Sequence, residues 1–148
     1  MMKVLVNTFD KFPMFKNSCR IKILERSKLL KKKQKVNINK ENIHWLNDLS
    51  KLDNLPCIFL ANEFFDALPV KQFIKKEKKW FERHVRFFNN KFEYFDVLFD
   101  MEKFENKIKF KIAKQQKFIE YSPQSIEYLK IINKKIKRNN GGILIIDY

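Results

Sequence analysis

The feature that most restricts this chain is the apolar run Cys57-Ile58-Phe59-Leu60-Ala61, which breaks without transition into Asn62-Glu63-Phe64-Phe65-Asp66 and closes at Pro69. A run this short, bounded by polar residues, suits a buried β-strand better than a helix. A strand that stops at carboxylates and aromatic rings has the layout of an active-site lip, because ligands of open α/β sheets bind outside the carboxyl ends of the strands. The format recurs. Arg20-Ile21-Lys22-Ile23-Leu24 ends in Glu25, and Ile143-Leu144-Ile145-Ile146, expected to be fully buried, ends in Asp147. Strands around Ile21, Trp45, Ile58 and Ile145 are therefore expected in one sheet, with Glu25, Asn62 and Asp147 on one edge.

Composition sets the class. The 148 residues are 45% hydrophobic, enough for the core of one ordinary domain. A 15% aromatic share, with 16 Phe, argues against disorder. No apolar run approaches the roughly 20 residues that span a membrane, and the apolar stretch of Met1–Asn7 is too short for a secretory signal. Cys19 and Cys57 lie far apart and form no metal-ligand pattern, so they read as buried free thiols in a reducing compartment. A soluble intracellular protein without membrane insertion is expected. The net charge of +15 raises a nucleic-acid partner. Against it, the basic residues are overwhelmingly Lys, beside abundant Asn, Ile and Phe and only 2 Gly, the amino acids of A- and T-rich codons. Base readers favour Arg. No nucleic-acid partner is expected, and Lys31-Lys32-Lys33 and Lys75-Lys76 read as solvated faces.

Along the chain, Met1 to about Asp10 reads as the end of a helix with Pro13 as a stop beyond it, and Ser27 caps a short helix to about Gln34. His44-Trp45-Leu46 is a brief strand. After Pro69 the segments Val70–Lys75, Lys79–Phe87 and Phe92–Phe95 read as an antiparallel meander, separated by turns such as Asn89-Asn90-Lys91. Residues 97–117 carry no clear pattern. Ser122-Pro123 opens a helix that Gly141-Gly142 close. The order of strands and helices predicts a parallel, doubly wound α/β sheet.

The run Asn62-Glu63-Phe64-Phe65-Asp66-Ala67-Leu68-Pro69 closely resembles the central signature of the MidA-like (DUF185) family, class I S-adenosylmethionine-dependent methyltransferases linked to respiratory complex I assembly. Phe118-Ile119-Glu120-Tyr121-Ser122-Pro123 and Ile146-Asp147-Tyr148 resemble further family segments. The resemblance implies a class I, Rossmann-like methyltransferase sheet with an antiparallel β insertion at about 70–117. It also implies that residues 1–148 are the middle part of such a domain, a fragment without the family's first strand and glycine-rich turn. It implies S-adenosylmethionine as cofactor and a protein acceptor, an arginine of a complex I subunit, in the cytoplasm of a bacterium or the mitochondrial matrix of a eukaryote. The alternative is a non-catalytic assembly or binding module, or an inactive fragment of such an enzyme, and residues 1–148 alone are expected to bind the cofactor weakly or not at all and to be inactive.

Residue by residue, Glu25 is the candidate for the ribose hydroxyl pair, against a solvent-exposed strand end pairing with Arg26 or Lys28. Asn47 or Asp48 is the candidate polar contact to adenine, against an ordinary Asn-Asp turn. Asn62 is assigned to the methionine end of the cofactor. Glu63 and Asp66 are the catalytic candidates, since carboxylates orient a guanidinium through charge-assisted, often bidentate contacts. Phe64 and Phe65 wall or stack on that group. The competing reading makes Asp66 a cap and both rings core. Asp147 is a candidate at the substrate side, and Glu120 either touches substrate or positions the Ser122 cap. No metal-ligand spacing, nucleophile triad or phosphate-binding glycine loop occurs, and methyl transfer from a sulfonium requires none.

Overall fold

A computed structural model describes residues 2–40 and 42–148, and the chain divides into two compact units, Met1–Pro56 and Cys57–Tyr148. The first unit carries α1 (Met2–Phe9), α2 (Pro13–Ser18), β1 (Ile21–Leu24), α3 (Lys28–Ile38), β2 (Ile43–Leu46) and a 3-10 turn at Leu49–Lys51. β1 and β2 pair in parallel from Ile21↔Ile43 to Leu24↔Leu46, with α3 as the crossover. Side chains alternate across a strand. Ile21, Ile23 and Trp45 therefore pack against the buried cluster Val6, Ile38 and Ile43. Lys22 and His44, register partners, take the other face, where the Lys22 ammonium meets Asp53 at 2.7 Å.

Three local expectations shift in this unit. Met1 lies outside the described residues, and the helix begins at Met2. Pro13 does not end a helix but opens α2 at its first position, where a missing N–H costs nothing. The Ser27 hydroxyl caps α3 by accepting from the Leu30 N–H at 3.3 Å. The helix then runs past Gln34 to Ile38, because Asn39 supplies the left-handed cap at φ 44°.

The second unit carries β3 (Cys57–Asn62), β4 (Lys71–Lys76), β5 (Lys79–Phe88), β6 (Lys91–Phe99), α4 (Met101–Ile108), β7 (Phe118–Tyr121), α5 (Pro123–Asn139) and β8 (Gly141–Ile146). The insertion is an antiparallel sheet in the order β6-β5-β4-β7. Its core is Phe73, 1% exposed, with Met101 and Phe104 of α4. Phe73 stacks on Phe99 at 4.3 Å and tilts against Phe104 at 5.1 Å. The patternless stretch 97–117 thus holds a helix. Asp100 caps it by accepting from the Lys103 N–H at 2.9 Å.

β3 and β8 pair in parallel from Cys57↔Gly141 to Asn62↔Ile146. Within each unit the core strands pair in parallel, β1 with β2 in the first and β3 with β8 in the second. Neither β3 nor β8 is fully buried: Ile58 is 76% and Leu144 53% exposed. Burial of a parallel strand needs cover on both faces, and β8 has β3 as its strand neighbour and packs on α5. The two cysteines are half-buried. Gly141 does not close α5. Asn140 takes the cap, and Gly141 opens β8 at φ +143°, where a Cβ would stand 2.0 Å from the Cys57 carbonyl oxygen.

Of the lysine runs, Lys76 pairs with Asp96 at 2.7 Å, and the Lys75 ammonium donates to the Lys114 carbonyl at 3.0 Å. These cations are tethered rather than simply solvated. Among the described residues no helix is long and apolar enough to cross a membrane.

Candidate active site

The parallel ladder of the second unit delivers its functional residues to one edge. β3 ends at Asn62, opposite Ile146 of β8. The next N–H, of Glu63, donates to the Ile146 carbonyl at 2.9 Å, so the pairing persists one residue past the strand. There the backbone turns sharply: Glu63 sits at φ 47°, a left-handed conformation uncommon for a residue with a long side chain. The chain then reverses in a tight turn in which the Leu68 N–H donates to the Phe65 carbonyl at 3.2 Å, and the Asp66 carboxylate accepts from the Ala67 N–H at 2.8 Å. Asp147 follows directly on β8 and reaches the same place. Carboxylate oxygens of Glu63, Asp66 and Asp147 all lie within 4.8 Å of one another.

Three carboxylates at this distance oppose one another's ionisation. Burial raises the Glu63 carboxyl above its ordinary range, the charges of Asp66 and Asp147 add to the rise, and the Tyr148 backbone N–H opposes it. Glu63 Oε1 is buried with no hydrogen-bond partner among the described residues. An acidic oxygen left without a donor beside two further carboxylates creates a demand for a cation or a proton. The trio is also an oxygen-donor set of the kind a hard cation accepts, although the sequence spacing gave no sign of one.

Aromatic rings flank the turn. Phe64 meets Phe65 edge-to-face at 5.1 Å, and it meets Tyr128 of α5 at 5.1 Å. Phe64 is thus engaged by α5. The turn after β3 does not open a helix, so Asp66 caps a turn only.

In the first unit, Glu25 follows β1 and both its oxygens are engaged. One accepts from the Ser27 N–H at 2.8 Å, the other from the Gln34 amide at 2.9 Å. The partners are therefore not Arg26 or Lys28. Gln34 in turn accepts from the Trp45 indole at 2.9 Å, which makes a Glu25–Gln34–Trp45 relay that sequence reasoning missed. Its only sequence signal was a polar residue on the second turn of α3. The Asn47 side chain accepts from the Lys31 ammonium. Asp48 caps the 3-10 turn, and the Ser50 N–H holds its carboxyl below the usual range. Glu120 neither caps Ser122 nor stands alone: it accepts from the Gln72 amide at 2.9 Å across the β4-β7 pair. A cleft of about 590 Å³ lies against Lys22, His44 and Asp53 and contains none of these candidate residues. Its Asp53 is engaged by Lys22 at 2.7 Å and by Arg20 at 4.0 Å, whereas the carboxylate edge holds an unmet acidic oxygen and is the stronger site.

The chain belongs to the family described as "Putative S-adenosyl-L-methionine-dependent methyltransferase", which matches residues 1–148. No curated protein matches it. Among solved structures it is similar to a COG1565 superfamily member from Burkholderia thailandensis bound to S-adenosyl-homocysteine, at 19% identity and a TM-score of 0.57, over 75% of this chain and 30% of that one. A second COG1565 superfamily structure from Burkholderia thailandensis gives 19% identity and a TM-score of 0.58, over 75% of this chain and 31% of that one. The fold is thus that of this methyltransferase group, and the chain spans about a third of the length of these relatives.

Proposed function

We propose that the protein transfers a methyl group from S-adenosylmethionine to an arginine of a partner protein, a subunit of respiratory complex I (NADH:ubiquinone oxidoreductase). The observation that carries the reading is the meeting of Glu63, Asp66 and Asp147 within 4.8 Å, with one buried oxygen of Glu63 lacking a donor. A guanidinium answers that demand, since its five N–H donors and fixed charge match grouped carboxylates better than a single-point ammonium does.

The first unit's residues suit the cofactor. Glu25 stands at the carboxyl end of β1, one oxygen fixed by a backbone N–H and the other bound to a Gln34 amide that a ribose hydroxyl can replace. Asn47 and Asp48 are the residues that would meet the adenine, and Asn62 the one that would meet the methionine end. Bound S-adenosylmethionine supplies a methyl group made electrophilic by its sulfonium. Glu63, Asp66 and Asp147 would hold and orient the guanidinium, which lowers the orientational part of the barrier to methyl transfer. As a nitrogen–methyl bond formed, the methyl–sulfur bond would break with its electron pair going to sulfur, giving S-adenosylhomocysteine, and the attacking nitrogen would shed one proton. Glu63, whose carboxyl is raised by burial and by its acidic neighbours, is the group to take it.

The test is incubation with a radiolabelled methyl donor and purified complex I subunits, followed by residue analysis of the label. Label on arginine is expected. Label on lysine, or cofactor binding without any transfer, would replace the reading with a different acceptor or with a non-catalytic assembly role.

A further inference from the structure

The Glu63 turn is held against two opposing effects. Its backbone lies at φ 47°, which costs a residue with a Cβ, and its half-buried carboxylate faces Asp66 and Asp147. Both favour relaxation of the turn. One restraint is the Glu63 N–H donating to the Ile146 carbonyl at 2.9 Å, which fixes where the chain leaves β3 but not the direction it then takes. Besides the turn's own hydrogen bonds and the Tyr148 N–H at the carboxylate, a further restraint acts on the next residue. Phe64 meets the half-buried Tyr128 ring edge-to-face at 5.1 Å and 71°, and meets Phe65 at 5.1 Å and 84°. Edge-to-face pairs of this separation are directional, because the positive edge of one ring seeks the negative face of the other. Tyr128 belongs to α5, a helix packed on β3 and β8, the strands that carry Glu63 and Asp147.

We infer that Tyr128 is a positioning residue of the acceptor site: from α5 it anchors Phe64 and thereby holds the Glu63 carboxylate against Asp66 and Asp147. The inference rests on reading that trio as the acceptor site. The ring performs the task, so phenylalanine can replace tyrosine, whereas an aliphatic side chain of similar bulk lacks the directional contact.

The test compares the wild type with Tyr128→Phe and Tyr128→Leu. Two readouts are used: amide hydrogen exchange over residues 62–68, and methyl transfer to an arginine-containing peptide library. Tyr128→Phe is expected to match the wild type in both. Tyr128→Leu is expected to retain protection in β4–β7 and to exchange about tenfold faster over residues 62–68, reflecting local opening. Its kcat should fall about tenfold while the KM for S-adenosylmethionine changes less than twofold. Unchanged exchange and kcat in Tyr128→Leu would overturn the inference, as would an equal loss in Tyr128→Phe. Faster exchange in Tyr128→Leu with no transfer by the wild type would retain the anchor and sink the acceptor reading.

Discussion

Gly141→Ala should dismantle the edge on which the carboxylates meet. Gly141 stands at φ +143°, and an added Cβ would lie 2.0 Å from the Cys57 carbonyl oxygen and 2.9 Å from its carbonyl carbon. Both atoms are backbone, so no side-chain rotation relieves the clash. The backbone conformation alone costs alanine on the order of 1–3 kcal/mol. Displacing Cys57 breaks the first pair of the β3-β8 ladder, which adds at least one lost hydrogen bond worth about 1 kcal/mol. The sum is about 3 kcal/mol, which for a unit of this size lowers Tm by roughly 12–24 °C. Gly142 is the internal control. No atom lies within 4 Å of its virtual Cβ, so Gly142→Ala should fall between neutral and a gain of about 1 kcal/mol from the stiffer unfolded chain. Urea unfolding followed by Trp80 fluorescence in a Trp45→Phe background reads the second unit, because Trp80 packs against the Phe73 cluster. Similar midpoints for the two alanine variants would refute the assignment of Gly141 to a backbone contact that only glycine permits. Because Asp147 follows directly on β8, Gly141→Ala should, on the proposed function, also reduce methyl transfer beyond what its unfolded fraction explains.

Three further outcomes are expected. The Glu63 carboxyl is raised, so the folded state favours its protonated form. That contribution is full below the unfolded value of 4.5 and is lost as pH rises through the folded value. Glu63→Gln should therefore raise Tm at pH 7 and leave it unchanged near pH 3, as read by calorimetry, and an equal gain at both pH values would contradict the repulsion. Asp10 lies the other way: contacts with Lys16 and Lys40 at 2.8 Å lower its carboxyl to about 2. Its stabilisation is full above 3.8 and lost as pH falls through about 2. Asp10→Asn should thus lower stability at neutral pH, with the difference from wild type closing at the acid end of a pH-dependent urea series. On the proposed function, Asp66→Asn should lower turnover about 100-fold or more with little change in cofactor affinity, whereas Glu25→Ala should weaken cofactor binding first. Cofactor titration beside labelled transfer separates them, and a loss of cofactor affinity in Asp66→Asn would reverse the assignment.

The strand-terminal acids, the Ser27 and Ser122 caps and the antiparallel segment after Pro69 were legible in the sequence because each depends on neighbours a few residues away. An apolar run, a capping hydroxyl or a turn pair states its preference locally, and the fold leaves these preferences in place. What the sequence alone could not decide depends on pairing between distant segments. Glu63 and Asp147 belong to different motifs until the Asn62↔Ile146 register sets them at one edge. The engaged oxygens of Glu25, the exposed faces of β3 and β8, the stacking that buries Phe73 over α4 and the contact that reserves position 141 for glycine arise the same way. Register, burial and close backbone approach are properties of two segments at once, so only the tertiary structure could decide them.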